Sequence, residues 1–367
     1  MTKPRNVVVA QSGGPSPVIN NSLRGVVETC FAMPEHFGTV YAGYHGIEGV
    51  LREELLDLSA QDREEIGLLR TTPAAGAIGT CRYKLKPHQQ EDFERIVEVF
   101  KAHDVGYFFY IGGNDSMDTA HKVARLAHER GLDLVATGVP KTIDNDIWGT
   151  DITFGFDSAL QTATEAIDKI HTTAMSHHRV MVVEIMGRYA GWLALRSGLA
   201  GGADVILIPE IPFDMEKVAE VCSQRSTHGK RFTIIAAGEG ATVAGGKQFV
   251  ERVDETSADP IRLGGLARWV AQRVEEISGL ESRAIVLGHI QRGGSPTAFD
   301  RVLATQFGFH AFELLTQGKF GRLVVIREGR LDSAPIAEVA GKVRTVPHDD
   351  PLISAARAVG TSFAEAQ

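Results

Sequence analysis

Cysteine is scarce in this 367-residue chain, and its arrangement suits neither a metal site nor a disulfide framework. The three cysteines, Cys30, Cys81 and Cys222, are widely spaced and odd in number, and no Cys-x-x-Cys pair occurs. Long apolar runs are also missing, since no stretch approaches the ~18 residues that a membrane helix needs. We therefore expect a soluble protein of the reducing cytoplasm, with no membrane partner.

An excess of positive charge is likewise absent. The chain has 38 Lys and Arg against 46 Asp and Glu, which gives a formal net charge of −8. Proteins that bind nucleic acid usually have a basic balance or a basic domain, so no nucleic-acid partner is expected. An anionic substrate would have to be held by a local cluster of cations against the overall field.

Short apolar stretches alternate with longer amphipathic stretches. Strands are predicted over residues 7–10, 39–42, 107–111, 134–137, 180–185, 205–208, 232–236, 284–287 and 323–326. Helical spacing predicts helices over residues 89–101, 117–130, 159–173, 215–225, 266–277 and 298–315. Because the strands lack polar and apolar alternation, the pattern predicts an α/β protein with mostly parallel sheets that are covered on both faces.

Glycine and polar residues cluster where predicted strands lead into helices. Six such blocks are QSGGPSP at 11–17, IGGNDS at 111–116, PKTIDND at 140–146, IMGRYAG at 185–191, AGEG at 237–240 and GHIQRGGSP at 288–296. In parallel α/β folds, ligands bind beyond the carboxyl ends of the strands, so these blocks are candidate site segments. Taken singly, the first block is better explained by a structural turn, and the second is equally well explained if Asp115 or Ser116 simply caps the next helix.

The block at 140–146 carries the strongest chemical signal. Asp144 and Asp146 stand two positions apart, and Lys141 precedes Asp144 by three. One carboxylate can deprotonate a hydroxyl, the other can support Mg²⁺, and the lysine can neutralise phosphate. Arginines beside the later glycine turns have forked guanidiniums that bind phosphate oxygens in pairs. Together these residues predict an anion pocket.

In this order, the six blocks resemble the phosphofructokinase family from Gly13 through Arg301. PKTIDND, MGRYAG and GHIQRGGSP together are very specific. The resemblance implies two similar doubly wound α/β domains with the active site in the cleft between them. It implies a phosphoryl-donor domain of residues 1–155 plus about 291–341, and a fructose 6-phosphate domain of residues 156–290 plus about 342–367.

The family's roles carry over residue by residue. By resemblance, Asp144 is the base that takes the proton from the sugar 1-hydroxyl, Thr142 contacts the transferred phosphoryl group, and Arg188 stabilises its charge. The donor-binding positions would be Gly14, Arg82, Gly113, Asn114, Asp115 and Lys141. The sugar-binding positions would be Thr142, Asp144, Arg179, Met186, Gly187, Arg188, Glu239, Arg283, His289 and Arg292, the last two holding the 6-phosphate.

Mg²⁺ is the cofactor that the resemblance implies, with Asp146 and Asn114 as its ligands. Asn114 stands where many relatives have an aspartate, which leaves the number of ions open. The resemblance also implies a homodimer or homotetramer in which Arg179 and Arg283 reach into the site of a neighbouring subunit.

Two positions bear on the phosphoryl donor. Family members that use pyrophosphate resemble this chain at Asp115 and Lys141, whereas ATP-using members commonly have glycine at the first position and often at the second. Some ATP-using relatives also carry the lysine, so Asp115 is the stronger argument. A carboxylate at position 115 occupies space and repels the α-phosphate of a nucleotide. We therefore expect diphosphate and fructose 6-phosphate as substrates, with ATP as the alternative donor.

Two other classes of protein fit the sequence less well. A non-catalytic sugar-phosphate sensor on the same fold could lack the base, but both Asp144 and Asp146 are present. A nicotinamide-dependent dehydrogenase would be expected to have Gly-x-Gly-x-x-Gly after its first strand, and residues 13–18 do not supply it.

Overall fold

The computed structural model describes residues 4–71, 77–83, 89–253 and 261–366. In these ranges the strands are β1 (Arg5–Gln11), β2 (Phe37–Gly43), β3 (Leu55–Asp57), β4 (Val105–Gly112), β5 (Val135–Pro140), β6 (Val180–Ile185), β7 (Val205–Leu207), β8 (Thr233–Gly238), β9 (Val250–Val253), β10 (Ile261–Leu263), β11 (Ser282–Val286), β12 (Arg322–Arg327) and β13 (Arg330–Pro335).

The α-helices are α1 (Ile19–Ala32), α2 (Ile47–Leu51), α3 (Arg63–Gly67), α4 (Gln90–Ala102), α5 (Asn114–Glu129), α6 (Phe156–His177), α7 (Trp192–Ala200), α8 (Met215–Thr227), α9 (Leu266–Ser278), α10 (Ala298–Thr316), α11 (Ile336–Val339) and α12 (Pro351–Ala358). Two 3₁₀-helices cover Leu68–Arg70 and Gly288–Arg292. Among the helices of the described part, none is long and apolar enough to cross a bilayer.

The chain divides into two compact units. Unit 1 consists of Met1–Ile143, Ile147–Ser158 and Arg292–Lys342, and unit 2 consists of Asp144–Asp146, Ala159–Gln291 and Val343–Gln367. The segment Asp144–Asp146 thus belongs with unit 2, although the predicted boundaries put it in the first domain.

Unit 1 is built on a seven-stranded sheet with the order β13-β12-β5-β4-β1-β2-β3. The five inner strands run parallel, and β3 and β13 pair antiparallel at the two edges. Alternate residues of β1 face two cores: Val7 and Val9 pack with residues of α1 and α10, and Val8 and Ala10 pack with residues of α4 and α5. Burial on both faces explains why Val7, Val8, Val9 and Ala10 are all apolar.

Unit 2 is built on a four-stranded parallel sheet with the order β11-β6-β8-β7. Its core includes residues of β6, β7 and β8 packed against α8 and α9. The α/β class with parallel sheets is therefore confirmed. The nine predicted strands exist, but β3, β13 and the antiparallel β9–β10 pair were not predicted. Edge and ribbon strands of this kind are short or polar, so they lack the apolar run that marks an inner strand.

The predicted site segments follow the ends of neighbouring parallel strands. In unit 1, the register pairs Gln11 of β1 with Ile111 of β4, and Gly112 of β4 with Pro140 of β5. The chain leaves β1 for β2 on one side, while β4 lies on the other side, so β1 and β4 form a topological switch point. Ligand sites of open α/β sheets form at such points.

Candidate active site

A buried lysine supports the glycine turn that follows β1. Lys141 is only 3% exposed, and its Nζ donates a hydrogen bond of 2.6 Å to the Gly14 carbonyl oxygen. Its backbone N–H donates to the Gly112 carbonyl oxygen at 2.9 Å, which joins the ends of β4 and β5. Three predicted donor-site positions, Gly14, Gly113 and Lys141, therefore lie at one edge of the unit 1 sheet. An ammonium held in so dry a place is suited to neutralise phosphate charge.

Arg292 packs against the same turn. A Cβ atom added at Gly14 would lie 2.7 Å from both Cζ and Nη1 of Arg292, so only glycine leaves room for the guanidinium. The resemblance assigned Arg292 to the sugar 6-phosphate, whereas within unit 1 its guanidinium lies against the predicted donor turn. Lys141 and Arg292 thus place two cations beside Gly14.

Gly14→Ala is expected to displace the Arg292 guanidinium and to lower kcat/KM by about tenfold or more. Phosphoryl transfer depends on alignment, so displacing a charged group by about 1 Å is costly. The fold should survive, since the clash is with the far end of a flexible side chain. Steady-state kinetics and a melting curve test this. Gly67→Ala is the matched control, because an added Cβ there meets nothing within 4 Å. Unchanged kinetics in Gly14→Ala would contradict the prediction.

Helix α5 begins directly at the second glycine turn. Its N-cap residue is Gly113, which makes no side-chain capping bond, and Asn114 is its first residue. The alternative that Asp115 or Ser116 caps this helix is therefore wrong. Asp115 lies in the first turn with its side chain exposed, where the free N–H groups of a helix favour a negative charge.

Arg82 lies one residue from the glycine turn. It follows Cys81, whose backbone oxygen accepts a hydrogen bond of 2.8 Å from the Gly13 N–H, and Cys81 pairs with Ser12 in a β-bridge. The Arg82 side chain is exposed. This predicted donor residue therefore lies near the end of β1, at the same edge of the unit 1 sheet as Lys141.

In unit 2, Glu239 lies among charged groups at the ends of β6 and β8. Its pKa is raised from 4.5 to about 7, chiefly because the carboxyl group is buried and next because the Asp144 charge is close. The Arg188 charge and a hydrogen bond with the Gly187 backbone act in the opposite direction. Four predicted sugar-site residues, Asp144, Gly187, Arg188 and Glu239, are thereby brought together.

The raised pKa of Glu239 predicts a pH dependence of stability. The folded protein holds this proton more tightly than the unfolded chain, so the stabilisation is fully present below pH 4.5 and is lost as pH rises to about 7. Glu239→Gln removes the titration, and its melting temperature should fall less than that of the wild type between pH 4.5 and 7. Glu220→Gln, at an exposed helical position, is the control. Equal slopes in all three proteins would show the prediction to be wrong.

The turn that carries Arg188 needs its glycines. Gly187 has a φ of +131°, a region that side chains rarely adopt, and a Cβ there would lie 2.7 Å from the Ala190 oxygen. A Cβ at Gly240 would lie 2.0 Å from the Arg188 carbonyl oxygen, so the turns after β6 and β8 are in close contact. Met186 precedes this turn and is buried at 8% exposure.

Arg179 and Arg283 share one partner at the amino ends of β6 and β11, the edge of the unit 2 sheet opposite the one that carries Arg188 and Glu239. Arg179 Nη2 lies 2.9 Å from Glu281 Oε1, and Arg283 pairs with the same oxygen. His289 is exposed in the 3₁₀-helix Gly288–Arg292. In unit 1, the Thr142 carbonyl oxygen accepts a hydrogen bond of 2.9 Å from Thr153 Oγ1, which holds the chain just before Asp144.

Two residues that contact the site segments were not predicted. Glu210 accepts hydrogen bonds of 3.0 and 3.1 Å from the Gly191 N–H, and Arg344 donates to the backbone of Asn145 and Asp146. Glu210 follows the end of β7, so its place at a strand end was a weak signal. Arg344 lies in a stretch without any motif, and no feature of the sequence pointed to it.

Metal binding by the protein alone is not supported in the described ranges. They contain no group of three or more His, Cys, Asp and Glu side chains that could hold an ion. Mg²⁺ in phosphoryl-transfer sites usually needs only one or two carboxylates, because substrate phosphates and water supply the other ligands. The oxygen donors of Asp146 and Asn114 fit that chemistry.

Comparison with known proteins decides the family. A family profile described as phosphofructokinase matches residues 6–315. The chain belongs to the phosphofructokinase family. Phosphofructokinase function, and with it a place among the glycolytic transferases, follows from this membership.

Individual relatives differ in the donor that their names state. The chain is 41% identical to the ATP-dependent 6-phosphofructokinase of Spirochaeta thermophila, over 98% of each chain. It is 42% identical to the pyrophosphate–fructose 6-phosphate 1-phosphotransferase of Amycolatopsis methanolica, over 93% of this chain and 96% of the relative. Most relatives of similar identity carry the ATP-dependent name.

Among solved structures, the pyrophosphate-dependent phosphofructokinase from Marinobacter aquaeolei matches with a TM-score of 0.83 and 34% identity. The match covers 98% of this chain and 88% of that chain. The phosphofructokinase fold is therefore shared over almost the whole chain.

Proposed function

We propose that the chain transfers a phosphoryl group from diphosphate to the 1-hydroxyl of fructose 6-phosphate, reversibly, giving fructose 1,6-bisphosphate and phosphate. The observation that carries the proposal is the buried ammonium of Lys141 beneath the Gly14 turn, with the Arg292 guanidinium against the same glycine. Two cations beside a single glycine suit a small donor that carries a high negative charge.

In the proposed step, the sugar O1 attacks the phosphorus atom, a new O–P bond forms and the bridging P–O bond of diphosphate breaks. Asp144 takes the O1 proton, and phosphate leaves. Phosphoryl transfer depends mainly on alignment and on neutralisation of charge, which Lys141 and Arg188 would supply. Thr142, beside the base, would contact the transferred group.

Glu239 would bind a sugar hydroxyl. With a pKa of about 7 it is present in both protonation states near neutral pH, so it can donate or accept a hydrogen bond. His289 would hold the 6-phosphate, and Arg292 would contact it as well as the donor turn. Mg²⁺, when bound, would neutralise charge on the donor phosphates. Asp146 and Asn114 would be its protein ligands.

Asp115 is the residue that supports diphosphate over a nucleotide. Its exposed carboxylate stands in the first turn of α5, beside the glycine turn where a phosphate would approach. A carboxylate there repels a further phosphate, which diphosphate lacks and ATP has. ATP is the second candidate donor, and the names of most relatives of similar identity favour it.

The test is formation of fructose 1,6-bisphosphate from fructose 6-phosphate and Mg²⁺ with diphosphate or ATP in parallel. Turnover with diphosphate alone is expected. Turnover with ATP alone would overturn the donor assignment and keep the family. Asp115→Gly should raise ATP-dependent turnover if repulsion at position 115 excludes the nucleotide, and an absence of any gain would count against that reason. Activity with neither donor would favour a sugar-phosphate sensor.

The assembly and location are part of the same proposal. Arg179 and Arg283 would reach a neighbouring copy in a homodimer or homotetramer, and their shared partner Glu281 would keep both arginines ordered before assembly. Three free, buried cysteines suit a reducing compartment, so we place the enzyme in the cytoplasm.

A further inference from the structure

The last segment of unit 2 lies against the segment that carries the proposed base. The Arg344 backbone N–H donates a hydrogen bond of 2.8 Å to the Asp146 carbonyl oxygen. Its Nη1 donates one of 3.2 Å to the Asn145 carbonyl oxygen. One residue thus binds two successive peptides that follow Asp144.

The first of the two residues, Asn145, has an unusual backbone conformation. Asn145 has a φ of +55° and is 1% exposed, so a buried non-glycine residue adopts the left-handed conformation. Such conformations cost roughly 1–3 kcal/mol and persist only where the surroundings hold them. The bonds from Arg344 supply such a hold, and they act on the residue between Asp144 and Asp146.

The Arg344 side chain is itself held by an aromatic ring. Its Cζ lies 4.0 Å from the ring centroid of Trp192, and Trp192 Nε1 donates a hydrogen bond of 3.0 Å to the Arg344 carbonyl oxygen. Trp192 is 2% exposed and is the first residue of α7, immediately after the turn that carries Arg188. Arg344 therefore joins the segment of the base to the turn of the proposed charge-stabilising arginine.

A half-buried carboxylate, that of Glu210, extends this connection. Glu210 Oε1 accepts hydrogen bonds from the Gly191 N–H at 3.0 Å and from the Val346 N–H at 2.8 Å. Val346 is 2% exposed. The segment from Arg344 to Val346 is thus held by hydrogen bonds at both of its ends.

We propose that Arg344 is a positioning residue that holds Asp144 in line for proton removal by fixing the Asn145 and Asp146 peptides against Trp192. The inference rests on the proposed role of Asp144 as the base. Arg344 acts through the backbone and through Trp192, and it takes no part in the chemical step.

Arg344→Met tests this by keeping much of the side-chain length while removing the fork that bonds Asn145. We expect kcat to fall by about 10- to 100-fold, the size of effect that a misplacement of about 1 Å produces. KM for fructose 6-phosphate and its calorimetric binding constant should stay within about twofold, because the sugar pocket is intact. Arg344→Lys should recover part of the loss, since an ammonium can reach the Asn145 carbonyl but lacks the planar fork.

The control is Arg357→Met in the same C-terminal segment. Arg357 also lies over a ring, 5.4 Å from the Phe363 centroid, and pairs with Glu365 at 2.6 Å, but neither partner belongs to the site. It should behave as wild type. Wild-type kcat in a folded Arg344→Met protein would overturn the inference, and so would an equal loss in Arg357→Met.

A double variant separates this inference from the proposed function. In the Asp144→Asn background, Arg344→Met should lower the residual rate no further, because both changes act on one group. A full additional loss would mean that Arg344 acts elsewhere and would overturn the inference. If Asp144→Asn alone keeps wild-type activity, the proposed base is wrong and the inference falls with it. If Asp144→Asn is inactive and Arg344→Met is fully active, the proposed base stands and only the inference about Arg344 is wrong.

Discussion

Asp144→Asn is expected to lower turnover by about 10²- to 10⁴-fold, the usual contribution of a general base, while fructose 6-phosphate still binds. The sugar 1-hydroxyl is a poor nucleophile at neutral pH, and an amide cannot take its proton. The substitution keeps the shape of the side chain, so the loss should appear in kcat and not in the binding constant. Initial rates with each donor and calorimetric titration with fructose 6-phosphate separate the two.

A second readout for this variant needs no turnover. The Asp144 charge is the second cause of the raised pKa of Glu239, so its removal should lower that pKa toward the ordinary value of 4.5. The fall in melting temperature between pH 4.5 and 7 should then be smaller in Asp144→Asn than in the wild type. An unchanged fall in melting temperature would show that the Asp144 charge does not act on Glu239.

The control for Asp144→Asn is Asp151→Asn. Asp151 lies seven positions on, and its Oδ2 accepts a hydrogen bond of 2.7 Å from the Glu328 N–H at an exposed site. Asp151→Asn should therefore affect only the stability of the fold and leave kcat unchanged. A similar loss of kcat in both variants would mean that Asp144→Asn acts through the fold.

The inner strands could be predicted because their burial on both faces makes them apolar throughout. Residues 7–10 are of this kind, as are residues 180–185 apart from the buried Glu184, and the glycine blocks that follow them lie where the α/β pattern predicts ligands. The edge strand β13 reads RLDSAP and has only two buried residues, so its sequence resembles a loop. Its two buried residues are adjacent, so they form neither an apolar run nor an alternation that could be detected.

Contacts between distant parts of the chain could not be predicted. Arg344 and Asn145 are 199 positions apart, and Glu210 and Val346 are 136 apart. A single sequence gives no information about which of its many polar residues meet. The same holds for the pKa of Glu239: the sequence shows a carboxylate in a glycine turn but neither its burial nor its neighbour Asp144.

The position of Arg292 illustrates the same limit at shorter range. A glycine turn followed by an arginine predicts an anion site, and residue order gives no indication of which phosphate the guanidinium serves. Packing decides this, because the Gly14 backbone leaves a space that the guanidinium occupies. The donor and sugar roles of Arg292 are therefore distinguished by kinetics with each substrate, and Gly14→Ala provides that measurement.

Lys141→Met is expected to lower diphosphate-dependent turnover by about 10²- to 10³-fold, or about 2.7–4 kcal/mol of transition-state stabilisation, as removal of one charge-stabilising donor does. The ammonium is buried and directed at the Gly14 carbonyl, so its charge acts on a bound phosphate with little screening. Methionine fills a similar volume, and loss of the bond to Gly14 should cost only about 1 kcal/mol of stability. Kinetics with varied diphosphate and a urea unfolding curve measure both quantities.

Lys101→Met is the matched control, because Lys101 Nζ also donates to a backbone carbonyl, that of Arg130 at 2.9 Å, on an exposed face of unit 1. It should leave turnover unchanged. A Lys141→Met enzyme that turns over diphosphate at the wild-type rate would refute the assignment of this lysine to the donor. Since diphosphate offers no base or ribose for other contacts, its binding depends on phosphate ligands alone. Any turnover supported by ATP should therefore fall less in Lys141→Met than turnover with diphosphate.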